Sequence, residues 1–316
     1  MNKSAGRFLE KDVVSRIAWL YFIKGFTQRE ISHRLNISRM QVQRSISKSK
    51  KEGLVRIQIV DPLTSCFEIE DRLKSGFALA DAMVVPTPED ESKIKEALGK
   101  AAARYLLRHG KDHQVIGVGW GTTLERMTQF INGSKRSSSQ VVSLIGGWTK
   151  RAKESPHEIA CKLADALHTP CYYISAPAIA DSPASHSVIT SEKSVNYTLN
   201  LAKTSDLAIL GIGNADTDSS LVKAGFLSSQ EVTKLRTKGA VGDICAQFYD
   251  REGHPVDWKY MDRVIGLGLK DLKQIKTVIG VAGGANKKKA ILGALRGRHL
   301  DVLITDEQTA RAVLFE

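Results

Sequence analysis

Thr27-Gln28-Arg29-Glu30-Ile31-Ser32-His33-Arg34-Leu35-Asn36-Ile37-Ser38-Arg39-Met40-Gln41-Val42-Gln43-Arg44 carries two helix-start signals, eleven residues apart. Thr27 and Glu30 make a capping box: the threonine side chain accepts from the N3 amide while the glutamate reaches back to the cap amide. Ser38 and Gln41 repeat it. The first helix turns Ile31 and Leu35 inward and stops at Asn36, a residue that tolerates the left-handed backbone of a tight turn. The second buries Val42 and Ile46 and runs to Gly53, a good C-terminal stop. Two short helices joined through Asn36-Ile37 read as a helix-turn-helix. Upstream, Asp12 is expected to cap a helix with Val13, Ile17, Leu20 and Tyr21 at helical spacing, ending near Gly25. Downstream, Leu54-Val55-Arg56-Ile57-Gln58-Ile59 alternates as a strand, which reads as a wing.

Charge gives this segment a partner. Residues 1–60 hold 13 Lys/Arg and 4 Asp/Glu, a balance of +9, whereas residues 61–316 hold 33 and 30. Most of the +12 of the 316-residue chain therefore sits on one small module, the asymmetry of a polyanion binder attached to a nearly neutral domain. At about 100° per residue, the face opposite Val42 and Ile46 collects Met40, Gln41, Arg44, Ser47, Lys48 and Lys51. Arg39 lies at the exposed N-terminal end, where a recognition helix meets base edges. Arginine forks onto guanine and glutamine onto adenine, so Arg39, Met40, Gln41, Gln43 and Arg44 are candidate readers. Thr27, Gln28 and Lys48 are placed for phosphates, which position a protein without reading sequence. The expected partner is double-stranded DNA.

The other 256 residues alternate short apolar runs with helical patterns. After a short link at Asp61-Pro62-Leu63-Thr64-Ser65 come a helix from Phe67 to Phe77, a strand at Ala82–Val85 and an amphipathic helix from Glu89 to Leu107. Strands follow at Val115–Val118, Val141–Ile145, Cys171–Ile174, Leu207–Leu210, Val278–Val281 and Val302–Ile304. Helices fall near Thr123–Ile131, Pro156–Leu167, Val195–Ala202, Lys287–Leu295 and Glu307–Leu314. That order predicts an α/β fold with a mostly parallel, doubly wound sheet and ligands beyond the C-terminal strand ends. The expected domains are 1–60, a winged helix-turn-helix, and 61–316, a ligand-binding domain.

Several strand ends break into glycine-rich loops. Gly117-Val118-Gly119-Trp120-Gly121-Thr122-Thr123 opens a helix whose unpaired amides suit a phosphate or a hydroxyl cluster. Its spacing is not G-x-G-x-x-G, and no acidic residue ends the next strand at Gly146-Gly147, which counts against a dinucleotide. The chain contains no P-loop string. Gly239-Ala240-Val241-Gly242-Asp243 puts a carboxylate beside flexible backbone, and Gly283-Gly284-Ala285-Asn286-Lys287 puts a lysine at a helix start. Lys150, Arg151 and Lys153 would add charge after Gly147.

Other classes fall away. Apolar residues make up 42% of the chain, ordinary globular usage. No run approaches the ~18–20 apolar residues of a membrane span, and the N-terminus has no apolar signal region, so a cytoplasmic location is expected. Cys66, Cys161, Cys171 and Cys245 form no C-x-x-C pair and read as reduced thiols. His109 and His113 stand four apart in a polar turn without further ligands, so no metal or cofactor is expected.

The string from Thr27 to Arg44 resembles bacterial repressor helix-turn-helices, which read T-Q-x-E-I-A-x-R-L-G-[IL]-S-R-x-x-V-S-R. The chain departs with Ser32 for the alanine, Asn36 for the turn glycine and Gln43 for the serine. Residues from about 60 to 316 resemble the SorC family of sugar-responsive bacterial regulators. The matching strings are Gly117–Leu124, Gly146-Gly147, Ala176-Pro177-Ala178, Gly211-Ile212-Gly213, Gly239–Ile244, Val281–Lys287 and Leu303-Ile304-Thr305-Asp306-Glu307-Gln308-Thr309-Ala310. The resemblance implies a homotetrameric repressor or activator of a carbohydrate or polyol operon, with 61–316 as a sugar-isomerase-like effector-binding and oligomerisation domain that binds a sugar, polyol or sugar phosphate. It places that effector against Gly121, Thr122, Thr123, Leu124, Asp243 and Lys287.

The alternative is a sugar-phosphate isomerase or deaminase, since the implied fold is similar to theirs. Those deaminases carry Gly-Ile-Gly-x-Asp-Gly-His. Here the stretch is Gly211-Ile212-Gly213-Asn214-Ala215-Asp216-Thr217, without the histidine. Acid–base work needs a titratable group within reach of the proton, and Asp243 has no evident partner in the sequence. No catalytic residue is assigned.

Overall fold

The computed structural model describes residues 3–55, 63–132, 137–148 and 154–316. The chain divides into two compact units, Met1–Asp61 and Pro62–Glu316.

The first unit packs three helices, α1 (Lys3–Phe22), α2 (Gln28–Leu35) and α3 (Arg39–Lys51), around Ile17, Leu20, Ile31, Val42 and Ile46. Both capping boxes form. The Thr27 amide donates to Glu30 Oε2 (2.7 Å) and the Glu30 amide to Thr27 Oγ1 (3.3 Å). The Ser38 amide donates to Gln41 Oε1 (2.9 Å) and the Gln41 amide to Ser38 Oγ (3.2 Å). Asn36 is left-handed, at φ 49° and ψ 48°. Ser32 has a part in that turn, because its hydroxyl donates to the Ile37 carbonyl (2.6 Å) while the Ile37 amide returns to the Ser32 carbonyl (3.1 Å). An alanine would keep the main-chain bond and lose only the hydroxyl one.

Asp12 is not a cap. Helix α1 begins nine residues earlier, at Lys3, because Lys3–Lys11 contain no proline and only one glycine to break it. Val13 is 45% exposed, and Val14 takes the buried position expected of it. The wing strand falls largely on residues 56–60, outside the described residues.

The second unit runs α4 (Leu63–Phe77), β1 (Asp81–Val85), α5 (Ile94–His109), β2 (Val115–Val118), α6 (Thr122–Thr128), β3 (Gln140–Ser143), α7 (Pro156–Leu167), β4 (Cys171–Tyr172), α8 (Pro183–Ser191), α9 (Lys193–Lys203) and β5 (Leu207–Gly211). It continues through β6 (Gly213–Asn214), α10 (Ser220–Lys223), α11 (Ser229–Thr237), β7 (Gly242–Ile244), β8 (Gln247–Tyr249), α12 (Leu269–Leu272), β9 (Val278–Val281), α13 (Lys288–Arg296), β10 (Val302–Asp306) and α14 (Glu307–Leu314).

Seven strands form one sheet in the order β1-β10-β9-β5-β2-β3-β4, every pair parallel. Successive side chains of a strand point to opposite faces. Thus Leu207 and Ile209 join one core with α5, α6 and α7, while Ala208 and Leu210 join the other with α4, α13 and α14. Strands covered on both faces read as unbroken apolar runs, which is why the sequence exposes them. Their order reverses between β2, which leads to β3 and β4, and β5, which leads to β9 and β10. That reversal makes a crevice at the carboxyl ends of β2 and β5.

A three-stranded antiparallel sheet, β6-β7-β8, stands beside it. Its hairpin turns through Cys245 (φ 50°) and Ala246 (φ 60°), both left-handed. Two positive φ values in a two-residue loop define a type I′ turn, which ordinarily takes Asn-Gly.

Candidate functional site

The crevice holds a cavity of about 150 Å³. Strand β2 brings Trp120, Gly121, Thr122 and Thr123 to it, and β5 brings Gly211, Ile212, Gly213 and Asn214. Strand β9 brings Gly283, Asn286 and Lys287, while Asp243 comes from β7. Four loops distant in sequence thus converge, among them Gly121, Thr122, Thr123, Asp243 and Lys287 of the expected effector set.

Gly121 (φ 116°) is the cap of α6. Behind it the amides of Thr122, Thr123 and Leu124 occupy the first turn, where a helix supplies no internal acceptors. The Leu124 side chain is fully buried in the core and does not line the cavity. Only its main chain belongs to the helix end.

Asp243 is 3% exposed and accepts from the Ala246 amide at 3.2 Å. Burial pushes its carboxyl up to about 6, against the opposing pull of the Lys287 ammonium and the Ala246 amide. Lys287 donates to the Ile212 carbonyl (2.9 Å) and lies 3.5 Å from Asn214 Oδ1. Burial draws its ammonium below the usual lysine range, with Asp243 countering. The two charges share the cavity without touching, as a ligand that bridges them would require.

Gly213 pairs with Asp243 across β6 and β7, so closely that a Cβ there would lie 1.8 Å from Asp243 Oδ1. Gly213→Ala is expected to displace that carboxylate. By overpacking it should lower stability by about 1–3 kcal/mol, measured by urea denaturation. An unperturbed alanine variant would show that the two strands can part at no cost.

Sequence reading missed Lys95, Asp218 and Lys223, which also line the cavity. Isolated charged residues at the start of α5 and around α10 make no pattern. Conversely, two motif strings serve packing. Gly147 donates to the Ala176 carbonyl and accepts from the Ala178 amide, both at 2.8 Å, so they tie the exits of β3 and β4 together outside the cavity. Lys150, Arg151 and Lys153 lie outside the described residues. Among the described residues no group of His, Cys, Asp and Glu could hold a metal ion, and no helix is long and apolar enough to cross a membrane.

On the first unit, Thr27, Arg39, Met40, Gln41, Gln43 and Arg44 are exposed, while Gln28 and Lys48 are half-buried. Gln41 Oε1 is held by the Ser38 amide and hydroxyl, which leaves its amide nitrogen as the outward group. Lys48 is 4.0 Å from Glu52.

A helix-turn-helix unit followed by an α/β unit with a polar crevice at its switch point defines a ligand-responsive transcriptional regulator. The profile of the family described as "Putative sugar-binding domain" matches residues 61–315. The chain is similar to the erythritol catabolism regulatory protein EryD of Brucella abortus, at 30% identity over 302 residues and 95% of each chain. It is similar to the deoxyribonucleoside regulator of Bacillus subtilis, at 32% over 300 residues, 94% of this chain and 95% of that one. Among solved structures, the full-length sorbitol operon regulator SorC of Klebsiella pneumoniae superposes with a TM-score of 0.75 at 27% identity, covering 96% of this chain and 99% of that one. The chain belongs to this sugar-binding-domain family of SorC-type transcriptional regulators. Its relatives are regulators rather than enzymes, and the isomerase or deaminase alternative is set aside.

Proposed function

We propose that the chain is a cytoplasmic, homotetrameric repressor of a carbohydrate or polyol catabolic operon, released from its operator by a small sugar, polyol or sugar phosphate. The observation that carries this reading is the buried Asp243 lining the same cavity as Lys287 and the first turn of α6. A carboxylate accepts from adjacent hydroxyls, while an ammonium and helix-end amides hold an anion. Lys95, Lys223 and Lys287 outnumber Asp218 and Asp243 around the cavity, a balance that favours a phosphorylated ligand.

On the first unit, Arg39, Met40, Gln43 and Arg44 would meet base edges, with Gln41 donating through its amide nitrogen. Thr27, Gln28 and Lys48 would meet phosphates. Paired units of an oligomer would take successive major grooves of a pseudo-palindrome.

A ligand can shift operator affinity only by binding two states of the protein unequally. A thermal-shift screen of tetritols, pentoses, hexitols and their phosphates identifies the effector, since at about 100 times its Kd it adds about 2.7 kcal/mol of stability. Titration with and without operator DNA then tests the coupling. An effector that weakens operator binding must itself bind more weakly, by the same factor, when operator is present. Equal affinity in both titrations would sink the proposal.

A further inference from the structure

Asp306 ends β10 next to the loop that carries Lys287, and it does not line the cavity. It is 1% exposed and accepts four hydrogen bonds. Oδ1 takes the Gly284 amide (2.9 Å) and the Thr309 hydroxyl (2.7 Å), while Oδ2 takes the Thr87 hydroxyl (2.9 Å) and the Thr309 amide (3.1 Å). The Gly284 amide is shared with Thr309 Oγ1 (2.8 Å), and Thr87 Oγ1 also accepts from the Gln308 amide (2.9 Å). The loop lies so close that a Cβ on Gly283 would come within 2.2 Å of Asp306 Oδ1. A carboxylate so fully engaged has no capacity left for a ligand. What it does is hold other segments.

Its two arms reach different walls of the cavity. Gly284 belongs to the loop that ends at Lys287. Thr87 leads into the turn capped by Asp90 and on to the first turn of α5, which carries Lys95. Lys95 and Lys287 both line the cavity. The Lys95 charge is also among the influences that hold the Lys287 ammonium down. The two walls start from β1 and β9, the strands on either side of β10, with Val85 in register with Asp306, but beyond those strand ends no ladder joins them. The bridge from Thr87 through Asp306 to Gly284 joins them by hydrogen bonds, alongside the packing of Leu98 of α5 against Gly283.

We propose that Asp306 is a positioning residue whose bridge between Thr87 and Gly284 fixes the separation of Lys95 and Lys287, and so the affinity of the cavity for an anionic ligand. The ligand clause rests on the effector site proposed above, whereas the bridge itself does not.

The test uses the full chain with Thr87→Val, which removes the outer arm and the Gln308 acceptor at a half-buried site but leaves the Gly284 and Thr309 bonds to Asp306, and Thr87→Ser, which keeps the hydroxyl. The first readout is hydrogen exchange of ligand-free protein. Thr87→Val should speed exchange of the amides at 283–288 about fivefold, the equivalent of one lost hydrogen bond. Thr87→Ser should match the wild type. The second readout is protection of the same amides by inorganic phosphate, whose half-saturating concentration should rise by a similar factor in Thr87→Val alone. A simple packing role for Thr87 would lower Tm in Thr87→Ser, which loses the methyl, spare the isosteric Thr87→Val and leave the phosphate response intact. Unchanged exchange at 283–288 in Thr87→Val, or a serine variant as impaired as valine, overturns the bridge. Normal exchange behaviour with no phosphate response in the wild type leaves the bridge standing and overturns the ligand clause together with the anionic-effector reading.

Discussion

Asp243→Asn is expected to abolish the rise in Tm that effector gives the wild type, and to make the ligand-free protein more stable above pH 6. Burial raises the Asp243 carboxyl from its ordinary 3.8 to about 6, so the folded state holds this proton more tightly than the unfolded chain does. Its contribution to stability is complete below about pH 4. It is lost as the pH rises through 6, because the unfolded chain ionises first. At about 1.4 kcal/mol per pKa unit, ionisation of the folded state costs about 3 kcal/mol by pH 7. Asparagine removes that cost and flattens the stability profile between pH 4 and 6. Lys287 loses its nearby counter-charge but keeps the Ile212 carbonyl, and desolvation of Asp243 is the larger influence.

The same substitution removes a charged acceptor from the cavity. Two hydroxyl hydrogen bonds to a carboxylate, each contributing about 1.5–3 kcal/mol, correspond to a loss of affinity of at least about 100-fold. Denaturation across pH, with and without effector, measures both effects. A variant with its full thermal shift would remove Asp243 from ligand contact. One that keeps the slope between pH 4 and 6 would place that titration on another group.

Operator binding is expected to fall by at least about 10³ between 50 and 200 mM salt, the loss for about six neutralised phosphates. Most of the excess positive charge sits on the first unit, whose first 60 residues carry +9, while the remaining 256 carry +3. Effector affinity should therefore change far less over the same range. Within the slope, Lys48→Ala removes about one phosphate contact, and Arg44→Ala costs about 1–3 kcal/mol while relaxing preference at one base. Fluorescence anisotropy with a labelled operator over a salt series reads all three. A salt-insensitive operator affinity would contradict an electrostatic interface.

The parts legible in sequence are those whose local chemistry is self-sufficient. Thr27, Glu30, Ser38 and Gln41 cap their helices with no help from afar. The parallel strands announce themselves because both faces are buried. The β7–β8 hairpin was invisible because Cys245-Ala246 is not a turn signal; tertiary context imposes the left-handed pair, and Asp243 holds the Ala246 amide within it. Asp243 and Lys287 were found through neighbouring glycines, but Lys95 and Lys223 were not. Nothing in a solvent-exposed lysine says which distant loop will stand opposite. Leu124 differs for a simpler reason, since a motif names a residue without saying whether its side chain or its main chain is used.

The pairing of β1 with β10 has a consequence in time. Asp81 finds its partner only in Val302, the first strand of the sensor waiting for the last. At a synthesis rate of about 5–20 residues per second, some 10–45 s separate the two. The DNA-binding unit, described through residue 55, is complete long before. A chain interrupted anywhere in that interval carries a finished reader and no functioning sensor. Nonsense or frameshift alleles in that interval should therefore yield, where the fragment survives proteolysis, a folded helix-turn-helix unit without its pairing domain, whose weak operator binding no longer responds to effector.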